Sequence, residues 1–117
     1  MTFKVVYIDD EVELTKLLGE FLDGMPIEYF AFNDELSGIA FCHREHPDLI
    51  LIDYRLKQMT GEQVARKIGG VAPKYLVSGE LELPEFSDFQ RVLTKPFKFR
   101  EIKTIIACAM MDHKVKK

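Results

Sequence analysis

Four consecutive aliphatic residues, Leu49-Ile50-Leu51-Ile52, run directly into a carboxylate, Asp53. An unbroken apolar run of this kind reads as a strand covered on both faces. Strands so covered belong to parallel sheets with helices on either side, and the rest of the chain fits that architecture. Lys4-Val5-Val6-Tyr7-Ile8 is a second buried strand, rich in β-branched and aromatic residues. Ile27 to Phe32, Tyr75-Leu76-Val77 and Arg91-Val92-Leu93-Thr94 are three more.

Helical periods fill the gaps between strands. Asp10-Glu11-Val12-Glu13 has the form of a capping box. Leu14, Leu17, Leu18, Phe21 and Leu22 follow at helical spacing, predicting a helix to about Asp23 that Gly24 and Pro26 stop. Asn33 and Asp34 are cap candidates for a second helix, with Leu36, Ile39, Ala40 and His43 on one side and Pro47 at its end. Thr60-Gly61-Glu62-Gln63 is another capping box. Val64, Ala65 and Ile68 give that helix its buried side, and Gly69-Gly70 closes it. Phe99 to Met111 is a final helix burying Ile102, Ile105, Ile106 and Ala109. Between Glu80 and Gln90 only a short helix is expected, begun by Pro84 at its first turn. Its Leu81, Leu83, Phe86 and Phe89 read as local core.

Length and composition bound the function. The chain has 117 residues, enough for one domain with one core and no disulfide or metal staple. Sixteen basic residues against nineteen acidic ones give a net charge of -3, so no overall basic footprint points to direct nucleic-acid binding. The longest apolar runs, Leu49 to Ile52 and Ile105 to Met111, fall far short of the roughly 20 residues of a membrane helix. The N-terminus does not resemble a secretory signal. Cys42 and Cys108 lack metal-ligand spacing, which suits free thiols in a reducing cytoplasm. His43, His46 and His113 form no ligand spacing and read as surface residues; Lys114 to Lys117 reads as a frayed tail.

Five strands alternating with helices make a parallel sheet, and polar chemistry then collects beyond the carboxyl ends of its strands. Asp9-Asp10-Glu11 stands at the first such end, Asp53 at the third, Ser78-Gly79 at the fourth and Lys95-Pro96 at the fifth. Asp9, Asp10 and Asp53 are hard oxygen ligands for a cation such as Mg²⁺. Lys95 supplies one countercharge to carboxylates that otherwise repel each other. A carboxylate beside a metal and a lysine can act as a nucleophile toward a phosphoryl group, with Ser78 hydrogen-bonding that group after transfer.

Taken in order, Ile8-Asp9-Asp10-Glu11, Asp53-Tyr54-Arg55, Met59-Thr60-Gly61, Ser78-Gly79 and Thr94-Lys95-Pro96-Phe97 resemble the receiver domain of bacterial two-component response regulators, here of the stand-alone, single-domain type. The resemblance spans residues 1–117 as one domain. It implies a flavodoxin-like, doubly wound, five-stranded parallel sheet of order 2-1-3-4-5. It further implies that Asp53 takes a phosphoryl group from a histidine kinase or phosphotransfer protein, in a reaction dependent on Mg²⁺ or Mn²⁺. Asp10, Asp53 and the Arg55 carbonyl would ligate the metal, with Asp9 acting largely through water. Ser78 and Lys95 would hold the phosphoryl oxygens, and a cis Lys95-Pro96 bond would orient the lysine. Such a domain signals through protein contacts with a downstream partner rather than as an ordinary enzyme, and a homodimer is left open.

Three departures stand out. Val92 occupies the position, three before Lys95, that usually carries Tyr or Phe as a rotamer switch. Lys57 stands where Pro is common, four after Asp53. The stretch from Ser78 to Lys95 is short, which implies a reduced fourth helix between the fourth and fifth strands. In the fold that the resemblance implies, Arg55 and Glu80 would border the path of an attacking water, and are candidates to pair and slow hydrolysis. Their bland alternative is two solvated charges. The competing readings are a pseudo-receiver that binds without phosphorylation, a haloacid-dehalogenase-type phosphatase and a flavodoxin. The phosphatase would want Asp where Arg55 stands. The flavodoxin would want hydroxyl and Gly residues where the loop after Ile8 is acidic.

Overall fold

The computed structural model describes residues 2–70, 72–80, 83 and 88–115. The run at 49–52 forms the middle strand of a five-stranded, all-parallel sheet. In chain order the elements are β1 (Phe3–Ile8), α1 (Val12–Phe21), β2 (Ile27–Phe32), α2 (Glu35–Glu45), β3 (Leu49–Asp53), α3 (Gly61–Ile68), β4 (Lys74–Ser78), β5 (Arg91–Thr94) and α4 (Phe99–Val115). The strands lie in the order β2-β1-β3-β4-β5, the flavodoxin-like arrangement expected.

The period of two along each inner strand splits the core into two layers. Val5, Tyr7, Leu49, Leu51, Val77 and Leu93 face α1 and α4, where they meet Leu18, Leu22, Ile102, Ile105 and Ile106. Val6, Ile8, Ile50 and Ile52 face α2 and α3, against Ile39, Phe41, Cys42, Val64, Ala65 and Ile68. Each fully buried aliphatic side chain contributes about 1.5–3 kcal/mol. Because both faces are covered, β1 and β3 have no solvated side, which is why their sequences do not alternate.

Glycine brings two helices close to the sheet. A Cβ on Gly38 of α2 would lie 2.6 Å from Ile8 Cδ1, and one on Gly61 of α3 would lie 2.6 Å from the Asp53 carbonyl oxygen. Gly61 thus lets the start of α3 sit directly over the end of β3. The expected box of Thr60 and Gln63 is formed in both directions, and Gly69 caps the other end of α3 with φ at 77°.

Three local expectations are corrected. The buried side of α2 is Glu35, Gly38, Ile39, Phe41 and Cys42, whereas Leu36, Ala40 and His43 face solvent. Close docking on Ile8 through Gly38 rotates the helix away from the more apolar-looking stripe. Asp10 does not open a capping box either. The N-cap position of α1 is Glu11, without a side-chain cap bond, because its N–H goes to Asp9 and its carboxylate to Lys95. The last helix continues past Met111 to Val115, so Lys114 and Val115 are helical where fraying was expected. The helix expected from Pro84, with Leu81 and Phe86, lies outside the described residues, as do the His113 side chain and Lys116–Lys117. Among the described residues, no helix is long and apolar enough to cross a membrane.

Candidate functional site

The carboxyl ends of β1, β3, β4 and β5 deliver the expected residues to one rim. Asp9 follows β1 and is fully buried; Asp53 ends β3 and is 4% exposed. One carboxylate oxygen from each of Asp9, Asp10 and Asp53 lies within 4.8 Å of the others. Lys95 reaches in from the end of β5. Its Nζ sits 3.1 Å from Asp53 Oδ1, 3.2 Å from Asp9 Oδ2 and 2.7 Å from Glu11 Oε1. The Lys95 backbone N–H donates to the Ser78 carbonyl at 2.7 Å, which ties the root of the lysine to the end of β4. The Lys95-Pro96 bond is cis, as expected.

Every polar group of Asp9 is engaged. Oδ1 accepts the Glu11 N–H at 2.9 Å, and Oδ2 accepts the Tyr7 hydroxyl at 2.6 Å beside Lys95. The Asp9 backbone N–H donates to Phe32, and its carbonyl accepts from the Asn33 side chain. A buried carboxylate demands this saturation. Tyr7 and Asn33 are therefore site residues that sequence reading missed. The signal for Tyr7 was present: a polar-tipped aromatic inside an aliphatic strand, two positions before Asp9 and so on the same face. Of the two cap candidates Asn33 and Asp34, it is Asp34 that caps α2, accepting the Ser37 N–H at 2.9 Å, while the Asn33 side chain turns to Asp9.

Burial and charge tune the group at the centre. Burial first, and the Asp9 charge second, push the Asp53 carboxyl up to about 6, while Lys95 pulls it back. Burial lowers the Lys95 ammonium, but its bonds to Glu11 and Asp53 and the charge of Asp9 outweigh that, so the net direction is up. Burial and the neighbouring Asp9 also raise the Tyr7 phenol, which stays a hydrogen-bond donor. The clustered carboxylates of Asp9, Asp10 and Asp53, with Glu11 also paired to Lys95, leave an excess of negative charge beside that ammonium. That donor set, all hard oxygen, fits a small divalent cation.

Around this centre the rim is ordered by short contacts. The Ser78 hydroxyl oxygen accepts the Glu80 N–H at 2.9 Å, and a hydroxyl that accepts in this way keeps its own O–H as a donor. Tyr54 N–H donates to the Val77 carbonyl at 2.8 Å, and Gly61 N–H to the Tyr54 carbonyl at 2.7 Å, drawing the β3–α3 loop over the strand ends. Arg55 Nε and Glu80 Oε1 pair at 2.5 Å across the loops after β3 and β4. Val92, on β5, is 45% exposed and does not join the cluster.

The model of the response regulator receiver domain matches residues 5–107, and the chain belongs to that family. It is 25% identical over 114 residues to sporulation initiation phosphotransferase F of Bacillus subtilis, covering 91% of this chain and 92% of that protein. Two longer curated relatives are matched over only 29% and 18% of their own length. Among solved structures, a CheY-like response regulator receiver domain protein from Methanospirillum hungatei superposes with a TM-score of 0.85 at 16% identity, covering both chains fully. Response regulator TrrA of Thermotoga maritima, solved in complex with Mg²⁺-BeF, superposes with a TM-score of 0.78 at 21% identity over 93% of this chain and 99% of that one. Those structures share the fold.

Proposed function

We propose that the chain is a phosphoryl-accepting receiver whose acceptor is Asp53. The observation that carries this is a nearly buried strand-end carboxylate, 3.1 Å from a lysine ammonium and grouped with two further aspartates. One Asp53 oxygen forms a bond to phosphorus as the phosphorus–nitrogen bond of a donor phosphohistidine breaks. The donor imidazole keeps that electron pair and regains its proton. Asp10, Asp53 and the Arg55 carbonyl would hold Mg²⁺ or Mn²⁺, with Asp9 acting mostly through water. When bound, the cation neutralises charge on the phosphoryl oxygens. Lys95 exchanges its carboxylate contacts for one phosphoryl oxygen, and the Ser78 O–H donates to another.

The donor is a histidine kinase or a phosphotransfer protein, and the output is a contact with a downstream protein. The whole stretch 1–117 works as one receiver unit in the cytoplasm, where free thiols such as those of Cys42 and Cys108 persist. Arg55 and Glu80 form a bar beside the phosphoryl position and slow its hydrolysis. Exposed and paired, they add little stability, so their effect is expected on rate. Dephosphorylation of Arg55→Ala and Glu80→Ala should be faster than in the wild type; equal rates would remove the bar from the mechanism.

The deciding experiment is intact mass after incubation with Mg²⁺ and acetyl phosphate. Wild type should gain one phosphoryl group, about 80 Da, only when Mg²⁺ is present, and Asp53→Asn should gain none. The second reading, a pseudo-receiver, is favoured by the exposed Val92 at the switch position. No adduct on wild type from either acetyl phosphate or a phosphorylated histidine donor would select it.

A further inference from the structure

Glu35, the first residue of α2, is only 3% exposed. A buried carboxylate is retained only with strong partners. Glu35 Oε2 accepts the backbone N–H of Gln58 at 2.5 Å and of Met59 at 3.0 Å. Both donors lie in the β3–α3 loop, far away in sequence. The loop is pinned near its ends by the Tyr54 and Gly61 bonds and by the pairing of Arg55 with Thr60. Between those ties, Leu56 and Met59 rest against the α2–α3 core layer, and the backbone hangs on Glu35. Lys57 sits in the middle of this stretch. Among the described residues none accepts its N–H, and its own φ is not restricted as a proline's would be.

We propose that Glu35 is a positioning residue for the cation site. It clamps the loop so that the backbone just past Asp53 is already set for a divalent ion held by Asp10 and Asp53. The inference rests on the phosphoryl-acceptor reading above. Asp34 takes over the capping of α2, which leaves Glu35 free to reach the loop. The clamp also does by hydrogen bonding what a ring at position 57 would do by covalent restraint. Glu35 and position 57 should therefore substitute for each other.

The test uses the whole chain, with two readings that need no phosphorylation. The first is the Mg²⁺ dissociation constant by titration calorimetry. The second is hydrogen exchange at the amides of Gln58 and Met59. Glu35→Ala should weaken Mg²⁺ binding about tenfold and speed exchange at those two amides. Glu35→Gln keeps an acceptor oxygen and should lose less. Adding Lys57→Pro to Glu35→Ala should recover much of the affinity. A role confined to holding the fold would lower the melting temperature, leave the dissociation constant unmoved and gain nothing from proline. Wild-type affinity in a folded Glu35→Ala chain overturns the proposal, as does unchanged exchange at both amides; should that variant fail to fold, Glu35→Gln decides on the same two readings. If wild type binds Mg²⁺ but takes no phosphoryl group, the functional reading fails while these readings still decide the clamp.

Discussion

The two sides of the site are built differently. β1 and β3, which bring the aspartates, are nearly sealed: Val5 to Ile8 and Leu49 to Ile52 have no exposed surface. β5, which brings Lys95, is a four-residue edge strand with Leu93 as its one buried residue. The carboxylates are therefore fixed by the deepest packing in the molecule, whereas the ammonium hangs on a flexible stem from a lightly packed edge. That division suits the proposed chemistry. A nucleophile has to stay in place, and its countercharge has to pass from carboxylate to phosphoryl oxygen.

The comparison can be broken most directly through packing. Leu51→Ala should lower the unfolding free energy by about 2–5 kcal/mol. Val92→Ala on the edge strand should stay within about 0.5 kcal/mol of wild type. Denaturant titrations of the two would show it, and similar losses would mean that β5 is held as firmly as β3.

A smaller effect concerns the link between the sides. Lys95→Ala removes the ammonium that bridges Asp9 and Asp53. Without metal its melting temperature should fall below wild type. Mg²⁺ should then raise it by more than it raises wild type, because more carboxylate repulsion is left to relieve. An equal rise in both would mean that Lys95 does not balance these charges. Stripping Mg²⁺ with a chelator should reverse either rise.

The smallest effect belongs to neither side. Asp34→Ala removes the α2 cap and should cost about 1 kcal/mol near neutral pH. The Ser37 N–H bond holds the Asp34 carboxyl below its ordinary value. With the folded pKa depressed, its contribution is present above about 3.9, the unfolded value, and fades as pH falls through the folded one. The gap between wild type and variant should thus narrow in acid; a gap of full size there would mean that the neutral carboxyl caps the helix as well as the charged one.

Much of this site was legible residue by residue. Asp53 after an aliphatic run, Ser78 and Lys95 at later strand ends and the Thr60–Gln63 box all depend on nearby chain, and all are found as expected. Where sequence reading failed, two answers had equal local merit. Leu36, Ala40 and His43 have the same helical spacing as a core stripe, but α2 packs through Gly38, Ile39, Phe41 and Cys42 instead, with Gly38 close against Ile8. Asp10 to Glu13 could have capped α1 until Asp9 and Lys95 claimed Glu11. Glu35 carries no motif, since its partners are backbone amides in another loop.

Hydrophobic period, turn residues and caps act over a few residues, so the amino-acid order was enough to specify the strands, their parallel alternation with helices and the polar groups at the strand ends. Which groups then meet depends on how strands distant in the chain line up. Lys95 grips Glu11 across 84 positions because β5 and β1 end on the same rim, with Lys95 reaching back over β4 and β3. Glu35 reaches the β3–α3 loop because a glycine seats α2 close to the sheet. Charge pairing and the clamping of loops at this site are properties of the assembled layers, because long-range Coulomb and hydrogen-bond partners are chosen by packing and not by spacing along the chain.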